Sequence, residues 1–228
     1  MNKSFLDVKN LSKSYQLASN EINIFKNVSF KINKGDLVAL VGPSGSGKSS
    51  LLNMISCLDD DFKGEIFFEG NKINQINDDK KNDIRKEKIS LIFQNNNLLN
   101  DFTAIENVAF PLVIKNYSKK NSYDKATKIL TDFGLANRLN HFPDELSGGE
   151  QQRVAIARSL IAETELILAD EPTGNLDHQT TKEIFAYFLK LKKLKKTIIF
   201  ATHNRELANR ADYKLFISNG DIKRVNAR

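Results

Sequence analysis

The segment from 42 to 49 combines residue types and a spacing that can bind the phosphates of a nucleotide. It consists of Gly42-Pro43-Ser44-Gly45-Ser46-Gly47-Lys48-Ser49. Its glycines let backbone N–H groups turn toward phosphate oxygens, and a helix that begins near Lys48 would add its positive end. We expect Lys48 to reach the β- and γ-phosphates and the Ser49 hydroxyl to ligate Mg²⁺. A flexible turn is the alternative, but an apolar strand before the segment and an amphipathic helix after it favour a phosphate-binding loop.

Two carboxylates follow another short apolar run. The residues from Leu166 to Ala169 predict a buried strand, and Asp170 and Glu171 come directly after it. Ligands of open α/β sheets bind at the carboxyl ends of the strands. Asp170 therefore suits outer coordination of Mg²⁺, and Glu171 suits orienting or deprotonating an attacking water. Alone, such a pair is more typical of a turn or a helix start; together with the phosphate-binding loop, it indicates hydrolysis.

A second anion site is indicated by the segment Leu146-Ser147-Gly148-Gly149-Glu150-Gln151, which precedes a helical pattern over 152–161. Ser147 is a good N-cap, and the N-terminus of a helix attracts anions. An N-cap explains Ser147 but not Gly148 and Gly149, because glycines weaken a helix unless the backbone must approach something closely.

The apolar pattern predicts the elements that would position these segments. Short strands are predicted at 28–32, 37–41, 65–68, 89–93, 166–169 and 197–201. Helical spacing follows the phosphate-binding loop through Leu58 and continues through most of 95–161, where one helix is predicted to begin at Ser122 and stop at Gly134. A helix between the last two strands implies a parallel pair with a crossover. Asn219-Gly220 predicts the type I′ turn of a terminal hairpin.

Composition restricts the class of protein. The chain has 228 residues, 40% of them apolar, and a net charge of +6 from 34 basic and 28 acidic residues. No apolar run approaches the roughly 20 residues of a membrane span, and we expect no secretory signal. One cysteine, Cys57, excludes an internal disulfide and a multi-cysteine metal site. The mild basic excess fits an anionic ligand or membrane surface better than nucleic acid, because no basic stripe with interleaved aromatics is present.

The motifs together resemble the nucleotide-binding subunit of ATP-binding cassette (ABC) transporters. The segment 146–151 resembles the signature motif of that family, and Tyr15 resembles the aromatic residue that stacks on adenine. Gln94 resembles the Q-loop glutamine, Asp177 lies in a segment that resembles the D-loop, and His203 resembles the switch histidine. The resemblance covers essentially the whole chain. One departure is Ser50, where the family usually has threonine, but the hydroxyl is kept.

The resemblance implies an α/β fold of the P-loop NTPase ABC type, with a mostly parallel core sheet, an N-terminal antiparallel β subdomain and a helical insertion. It implies a single ATP-binding domain over 1–228, with the core at 1–94 and 162–228 and the helical subdomain at 95–161. It implies that ATP and Mg²⁺ are bound, with Glu171, His203, Gln94 and Lys48 catalytic and Ser49, Gln94 and Asp170 at the metal. The implied nucleotide contacts are Tyr15, Gly42, Pro43, Ser44, Gly45, Ser46, Gly47, Lys48, Ser49, Ser50, Ser147, Gly148, Gly149 and Asp177.

Three short stretches of the sequence are similar to one branch of this family, the lipoprotein-releasing transporters. The similarity lies in 98–108, 110–112 and 169–177, and the last stretch is shared with macrolide exporters and the cell-division complex. An exporter or cell-division ATPase is therefore the alternative, and an ABC ATPase that remodels nucleic acid or ribosomes is a more distant one. The implied partners are a second copy of the chain and integral membrane permease subunits, with no nucleic acid and no direct cargo contact. The implied location is the cytoplasmic face of a bacterial inner membrane.

Overall fold

The computed structural model describes residues 4–17, 20–174 and 176–227. Its strands are β1 (Leu6–Leu17), β2 (Asn20–Ile32), β3 (Leu37–Val41), β4 (Lys63–Phe68), β5 (Asn71–Lys72), β6 (Ile89–Ile92), β7 (Leu166–Asp170), β8 (Thr197–Ala201), β9 (Tyr213–Ser218) and β10 (Asp221–Asn226). Its α-helices are α1 (Lys48–Ile55), α2 (Asp78–Glu87), α3 (Ala104–Ile114), α4 (Lys119–Asp132), α5 (Gly148–Ile161), α6 (His178–Lys193) and α7 (Arg205–Ala208).

The strands form two sheets. A four-stranded antiparallel sheet has the order β2-β1-β4-β5, and a six-stranded sheet has the order β10-β9-β3-β8-β7-β6. In the larger sheet, β9, β3, β8, β7 and β6 run parallel, and only the β9–β10 hairpin is antiparallel. The predicted fold class, a mostly parallel core with an antiparallel sheet and inserted helices, is confirmed.

The larger sheet is buried on both faces, which explains why its strands are continuous apolar runs instead of alternating ones. Leu37 and Ala39 face a cluster that includes residues of α3, α4, α5 and α6. Val38 and Leu40 face the opposite cluster, which includes α1 and the antiparallel sheet. The sheet therefore holds the helices and the smaller sheet on its two sides, and the loops at one of its edges are left to form a site.

Two local predictions are confirmed by the backbone. Strands β7 and β8 pair in parallel with α6 between them, as the strand-helix-strand pattern requires. Asn219 and Gly220 have φ angles of 52° and 82°, the left-handed values that a type I′ turn demands at both central residues. Helices α3, α4 and α5 all lie within 95–161, but the boundaries of a separate helical subdomain stay a prediction.

Two other local predictions are wrong. Leu58 does not continue α1, because the helix ends at Ile55 and Cys57 adopts a left-handed φ of 58°. Ser122 is not an N-cap: α4 begins one turn earlier, where the Ser118 hydroxyl accepts a hydrogen bond from the Asn121 amide. Ser122 instead lies buried within the helix and donates its hydroxyl to the Ser118 carbonyl at 3.0 Å.

A charge cluster ties the sheet together at the end where β7 begins. The Glu165 carboxylate accepts hydrogen bonds from Lys34 and, at 3.0 Å, from Lys88, and both lysines also approach Glu69. The two lysine hydrogen bonds lower the pKa of Glu165 to about 2. Because the pKa of Glu165 is lower in the folded chain than in the unfolded one, these lysine contacts stabilise the fold at pH values above the unfolded pKa. The stabilisation is lost as pH falls through the range from about 4.5 to about 2.

We expect Glu165→Gln to lower the free energy of unfolding at about pH 7 by roughly 1–2 kcal/mol, a figure discounted for the solvent exposure of the lysines. The difference from wild type should shrink as pH falls toward about 2, because the wild-type carboxylate is then protonated as well. Urea unfolding at several pH values measures this. Glu163→Gln is the matched control, since the Glu163 side chain is 73% exposed and makes one long contact with Lys125. An equal loss in both variants would contradict a special role for Glu165.

Candidate functional site

The segment 42–47 connects β3 to α1, as the sequence predicts for a phosphate-binding loop. Helix α1 has Gly47 as its N-cap and no side-chain hydrogen bond at that cap, so its first N–H groups remain for a ligand. Lys48 is buried, and its ammonium donates to the carbonyls of Gly42 and Pro43, each at 3.1 Å. The loop is thereby curled around its own lysine, which places a positive charge and free amides together.

Close packing explains two of the loop glycines. A Cβ on Gly47 would lie 2.3 Å from Ile24 Cγ2, and a Cβ on Gly42 would lie 2.3 Å from the Ile217 carbonyl oxygen. Gly47 also has a φ of 98°, which side chains other than glycine rarely adopt. Gly45, in contrast, has a φ of 75° and open space where its Cβ would be. Side chains are therefore excluded on the packed side, while the open side of the loop faces a cleft.

The cleft beside the loop has a volume of 340 Å³ and collects most of the predicted site residues. Its lining residues are Tyr15, Ile24, Ser44, Gly45, Gly47, Lys48, Ser49, Ser50, Gln94, Asp170, Glu171 and His203. Parallel topology explains the gathering, because β3, β8, β7 and β6 are neighbours and end at the same edge. The loop follows β3, His203 follows β8, Asp170 ends β7 and Gln94 follows β6.

Glu171 and His203 are in direct contact in this cleft. Glu171 Oε1 lies 3.4 Å from His203 Nε2, and the backbone N–H of His203 donates to Oε2 at 3.4 Å. Burial raises the pKa of Glu171, and the nearby His203 and Lys48 oppose that rise. A partly desolvated carboxylate with a raised pKa is a better proton acceptor than an ordinary glutamate, which is the property a general base needs.

The residues at the cleft fit a magnesium–nucleotide ligand. The groups in the cleft that could ligate or orient a metal ion are the Ser49 hydroxyl, the Gln94 amide and the Asp170 carboxylate. Within the described ranges, no three His, Cys, Asp or Glu side chains could form a complete metal cage. This composition suits Mg²⁺, which usually takes one or two protein ligands and completes its shell with water and substrate phosphate. The Ser46 hydroxyl is buried without a hydrogen-bond partner among the described residues, as expected for a group that serves a ligand.

Ser147, Gly148, Gly149 and Asp177 do not line the cleft. Ser147 caps α5 by accepting from the Glu150 amide at 3.3 Å, while Glu150 accepts from the Ser147 amide at 2.8 Å. Asp177 caps α6 by accepting from the Thr180 amide at 2.9 Å. Ser147 and Gly148 are exposed, and open space surrounds the position of a Cβ on Gly148. One chain therefore does not bring this segment to its own phosphate-binding loop.

The wall of the cleft contains one residue that the motifs did not indicate, Ile24 of β2. Tyr15 lies at the rim, 41% exposed, with its hydroxyl 3.4 Å from Ser50 Oγ. Ile24 from β2 forms part of the wall near Gly47. The alternation of Ile22 and Ile24 along β2 marks them as one face of a strand, but only the fold shows that this face meets the phosphate-binding loop.

Strand, phosphate-binding loop, helix and paired carboxylate define a P-loop nucleotide-binding domain. The sequence profile of the ABC transporter family matches residues 25–174. The chain belongs to this family and is an ABC ATPase. Within the described ranges, none of the helices has the length and apolar character needed to cross a membrane.

Relatives of known name are similar in sequence along nearly the whole chain. The lipoprotein-releasing system ATP-binding protein LolD of Rickettsia conorii is 46% identical over 94% of this chain and 96% of its own length. LolD of Wigglesworthia glossinidia brevipalpis is 42% identical over 99% of both chains. Among solved structures, the dimeric ATP-binding cassette MJ0796 in a post-hydrolysis state with ADP and Pi is 38% identical, covers 98% of this chain and 99% of its own, and superposes with a TM-score of 0.93.

Proposed function

We propose that this chain is the ATP-hydrolysing subunit of a lipoprotein-releasing transporter, bound peripherally at the cytoplasmic face of a bacterial inner membrane. The observation that supports this is the near full-length identity of 42–46% to LolD proteins. The direct test is reconstitution of the chain with permease subunits of a lipoprotein-releasing transporter from the same organism, in vesicles that carry a lipoprotein. ATP-dependent release of the lipoprotein to a soluble carrier is the expected result. ATP turnover with release of a small drug instead would favour an exporter.

The geometry of the cleft suggests a part for each side chain in this proposal. Lys48 and the N-terminal amides of α1 bind the β- and γ-phosphates, and Ser49, Gln94 and Asp170 hold or orient the metal. When bound, Mg²⁺ neutralises charge on the phosphate oxygens. Glu171 accepts a proton from the attacking water. His203 contacts the same carboxylate, and in this proposal it orients that carboxylate.

A second copy of the chain completes the site in this proposal. The exposed N-terminus of α5, with Ser147 and Gly148, has free space around it and does not reach the phosphate-binding loop of its own chain. A second helix N-terminus facing the γ-phosphate would double the amide donors at the charge that develops during hydrolysis. The dimeric form of the MJ0796 cassette supports this arrangement.

Mixing two inactive variants, Lys48→Ala and Ser147→Arg, is expected to restore part of the ATPase activity. In a heterodimer that uses the signature segment of the partner, one composite site carries both changes and the other carries neither. If each chain used its own segment, both sites would be damaged. Steady-state ATPase of the mixture measures the difference, with subunit exchange verified by differently tagged chains. No recovery in verified heterodimers whose two sites hydrolyse independently would contradict the shared site.

A groove on the helical part of the chain is the proposed contact for the membrane subunits. It has a volume of 260 Å³, and its lining residues are Phe102, Glu106, Ala109, Phe110, Val113, Tyr117, Lys119 and Tyr123. Phe102, Phe110, Val113 and Tyr117 are each between 38% and 45% exposed, which is a dense set of apolar groups for a surface. Such a groove fits the apolar face of a short helix. Leu99 is 37% exposed, but it does not line the groove.

We expect Phe102→Glu to uncouple the chain from its membrane subunits. The substitution replaces an apolar contact residue of the groove by a charged one. Truncation of such contact residues typically costs about 2 kcal/mol or more of binding free energy. ATPase of the isolated chain should persist, while co-purification with the membrane subunits and lipoprotein release should fall. Leu99→Glu should act in the same direction but more weakly, because Leu99 does not line the groove and is joined to Phe102 through its carbonyl, which accepts from the Phe102 amide at 3.2 Å. Leu194→Glu is the control, since Leu194 is 69% exposed and does not line the groove. Normal co-purification of folded Phe102→Glu protein would remove the groove from the proposal.

A further inference from the structure

A buried cation lies next to the tyrosine at the rim of the cleft. Lys13 is two residues before Tyr15 on β1 and is only 4% exposed, which is unusual for lysine. Its Nζ lies 4.7 Å from the centre of the Tyr15 ring, within the range of a cation–π contact. Lys13 does not line the cleft, so it contacts Tyr15 without being placed to touch a nucleotide.

The Lys13 ammonium is held by three acceptors. It donates to Asp59 Oδ1 at 3.1 Å, to Asp61 Oδ2 at 3.1 Å and to the Asp61 carbonyl, which satisfies all three of its donors. Burial alone would lower the pKa of Lys13, but the hydrogen bonds to Asp61 and Asp59 raise it overall, so the group stays charged. The cation therefore has a fixed position and does not sample many rotamers.

The anchor of this cation is itself tied to the nucleotide loop. Asp59 and Asp61 lie in the segment that connects α1 to β4, and α1 is the helix that begins at Lys48. The intervening Asp60 is also held, because Lys81 Nζ of α2 donates a hydrogen bond to Asp60 Oδ2 at 2.6 Å, and this contact further restrains the segment. Lys13 thus joins the strand that carries Tyr15 to the end of the helix that carries the phosphate-binding lysine.

We propose that Lys13 is a positioning residue for recognition of the adenine base. It covers one face of the Tyr15 ring and fixes the ring, so that the opposite face is available for the base to stack on. A ring without this support would have to be ordered by the nucleotide itself, at a cost in affinity. This inference rests on the proposed contact between Tyr15 and adenine.

The test compares ATP with inorganic triphosphate, which has the charge of the phosphates but no base. Dissociation constants are measured by calorimetry on the purified full-length chain, with Lys13→Met as the variant that keeps the length of the side chain. We expect ATP affinity to fall about three- to tenfold, and triphosphate affinity to change less than about twofold. Lys13→Arg, which keeps the cation, should recover most of the preference for ATP.

Two further variants make the outcome decisive. Asp61→Asn weakens the anchor from a side chain that is 92% exposed, so it should reduce ATP affinity without unfolding the chain. In a Tyr15→Leu background, Lys13→Met should have no additional effect on ATP binding. Equal losses for ATP and triphosphate, or an undiminished effect of Lys13→Met in the Tyr15→Leu background, would overturn the proposal. If Tyr15→Leu alone leaves the preference for ATP unchanged, the assignment of Tyr15 to the base is wrong as well.

Discussion

Glu171→Gln is expected to lower steady-state ATP hydrolysis by about 10²–10⁴-fold while ATP still binds, because an amide keeps the shape of the side chain but cannot accept the proton of water. The position of Glu171 supports its role as the proton acceptor. Its carboxylate lies at the carboxyl end of the larger sheet, in the same cleft as Lys48 and in contact with His203. The variant should also accumulate as ATP-bound dimers, since hydrolysis is the step that is lost. Phosphate release and size-exclusion chromatography with ATP measure the two effects.

The fold should tolerate this substitution. Burial raises the pKa of Glu171, so its ionised form is less favourable in the folded chain than in the unfolded one. Replacing a destabilised charge by a neutral amide is therefore expected to maintain or increase the melting temperature of the ligand-free chain. Glu163→Gln, which is exposed and does not line the cleft, is the control for the assay. A Glu171→Gln protein that keeps more than about a tenth of wild-type turnover would count against Glu171 as the base.

Lys48→Ala is expected to fail at an earlier step, with ATP affinity reduced by about tenfold to a hundredfold. Two causes combine. The phosphates lose their cationic partner, and the carbonyls of Gly42 and Pro43 lose the donor around which the loop now curls. Titration calorimetry with ATP measures the loss directly. Inorganic triphosphate should lose affinity in parallel, because the contact is with phosphate and not with the base.

Lys48→Met separates charge from packing, since it keeps an apolar stem of similar length in a buried position. We expect it to bind ATP as weakly as Lys48→Ala while melting closer to wild type. Near-normal ATP affinity in either folded variant would show that the loop amides alone hold the phosphates. The contrast with Glu171→Gln is informative, because one variant loses binding and the other loses turnover.

The sequence predicts the parallel core well, because its strands are short apolar runs that only a sheet covered on both faces can bury. Helix ends are less predictable. The apolar spacing through Leu58 predicts one more turn of α1. In the structure, Cys57 has a left-handed backbone conformation that ends the helical path, and Leu58 is 49% exposed. Ser118 and Ser122 are both plausible caps, and the polar residues between them carry no apolar signal that would show the helix starting at Lys119.

The site is predictable where one contiguous motif encodes it and not where the fold assembles it. The phosphate-binding loop needs glycines and a lysine at fixed spacing, so its sequence alone identifies it. The contact between Glu171 and His203 joins residues that follow the neighbouring strands β7 and β8, and nothing in their spacing along the sequence indicates it. Lys13 looks like any strand lysine in the sequence, because its burial depends on Asp59 and Asp61, which are 46 and 48 residues away along the chain.

A single strand supports both ends of the nucleotide cleft. Strand β2 places Ile24 and Phe25 against Gly47 at the phosphate end, and the same strand pairs Ile22 with Tyr15 at the other. The separation between the two ends is therefore set by the rise of an extended backbone and not by the slack of two loops. In the proposed binding mode, a bare phosphate chain would contact only the phosphate-binding loop and a nucleoside would contact only Tyr15. The fixed distance between the two ends therefore selects for a ligand that carries both parts.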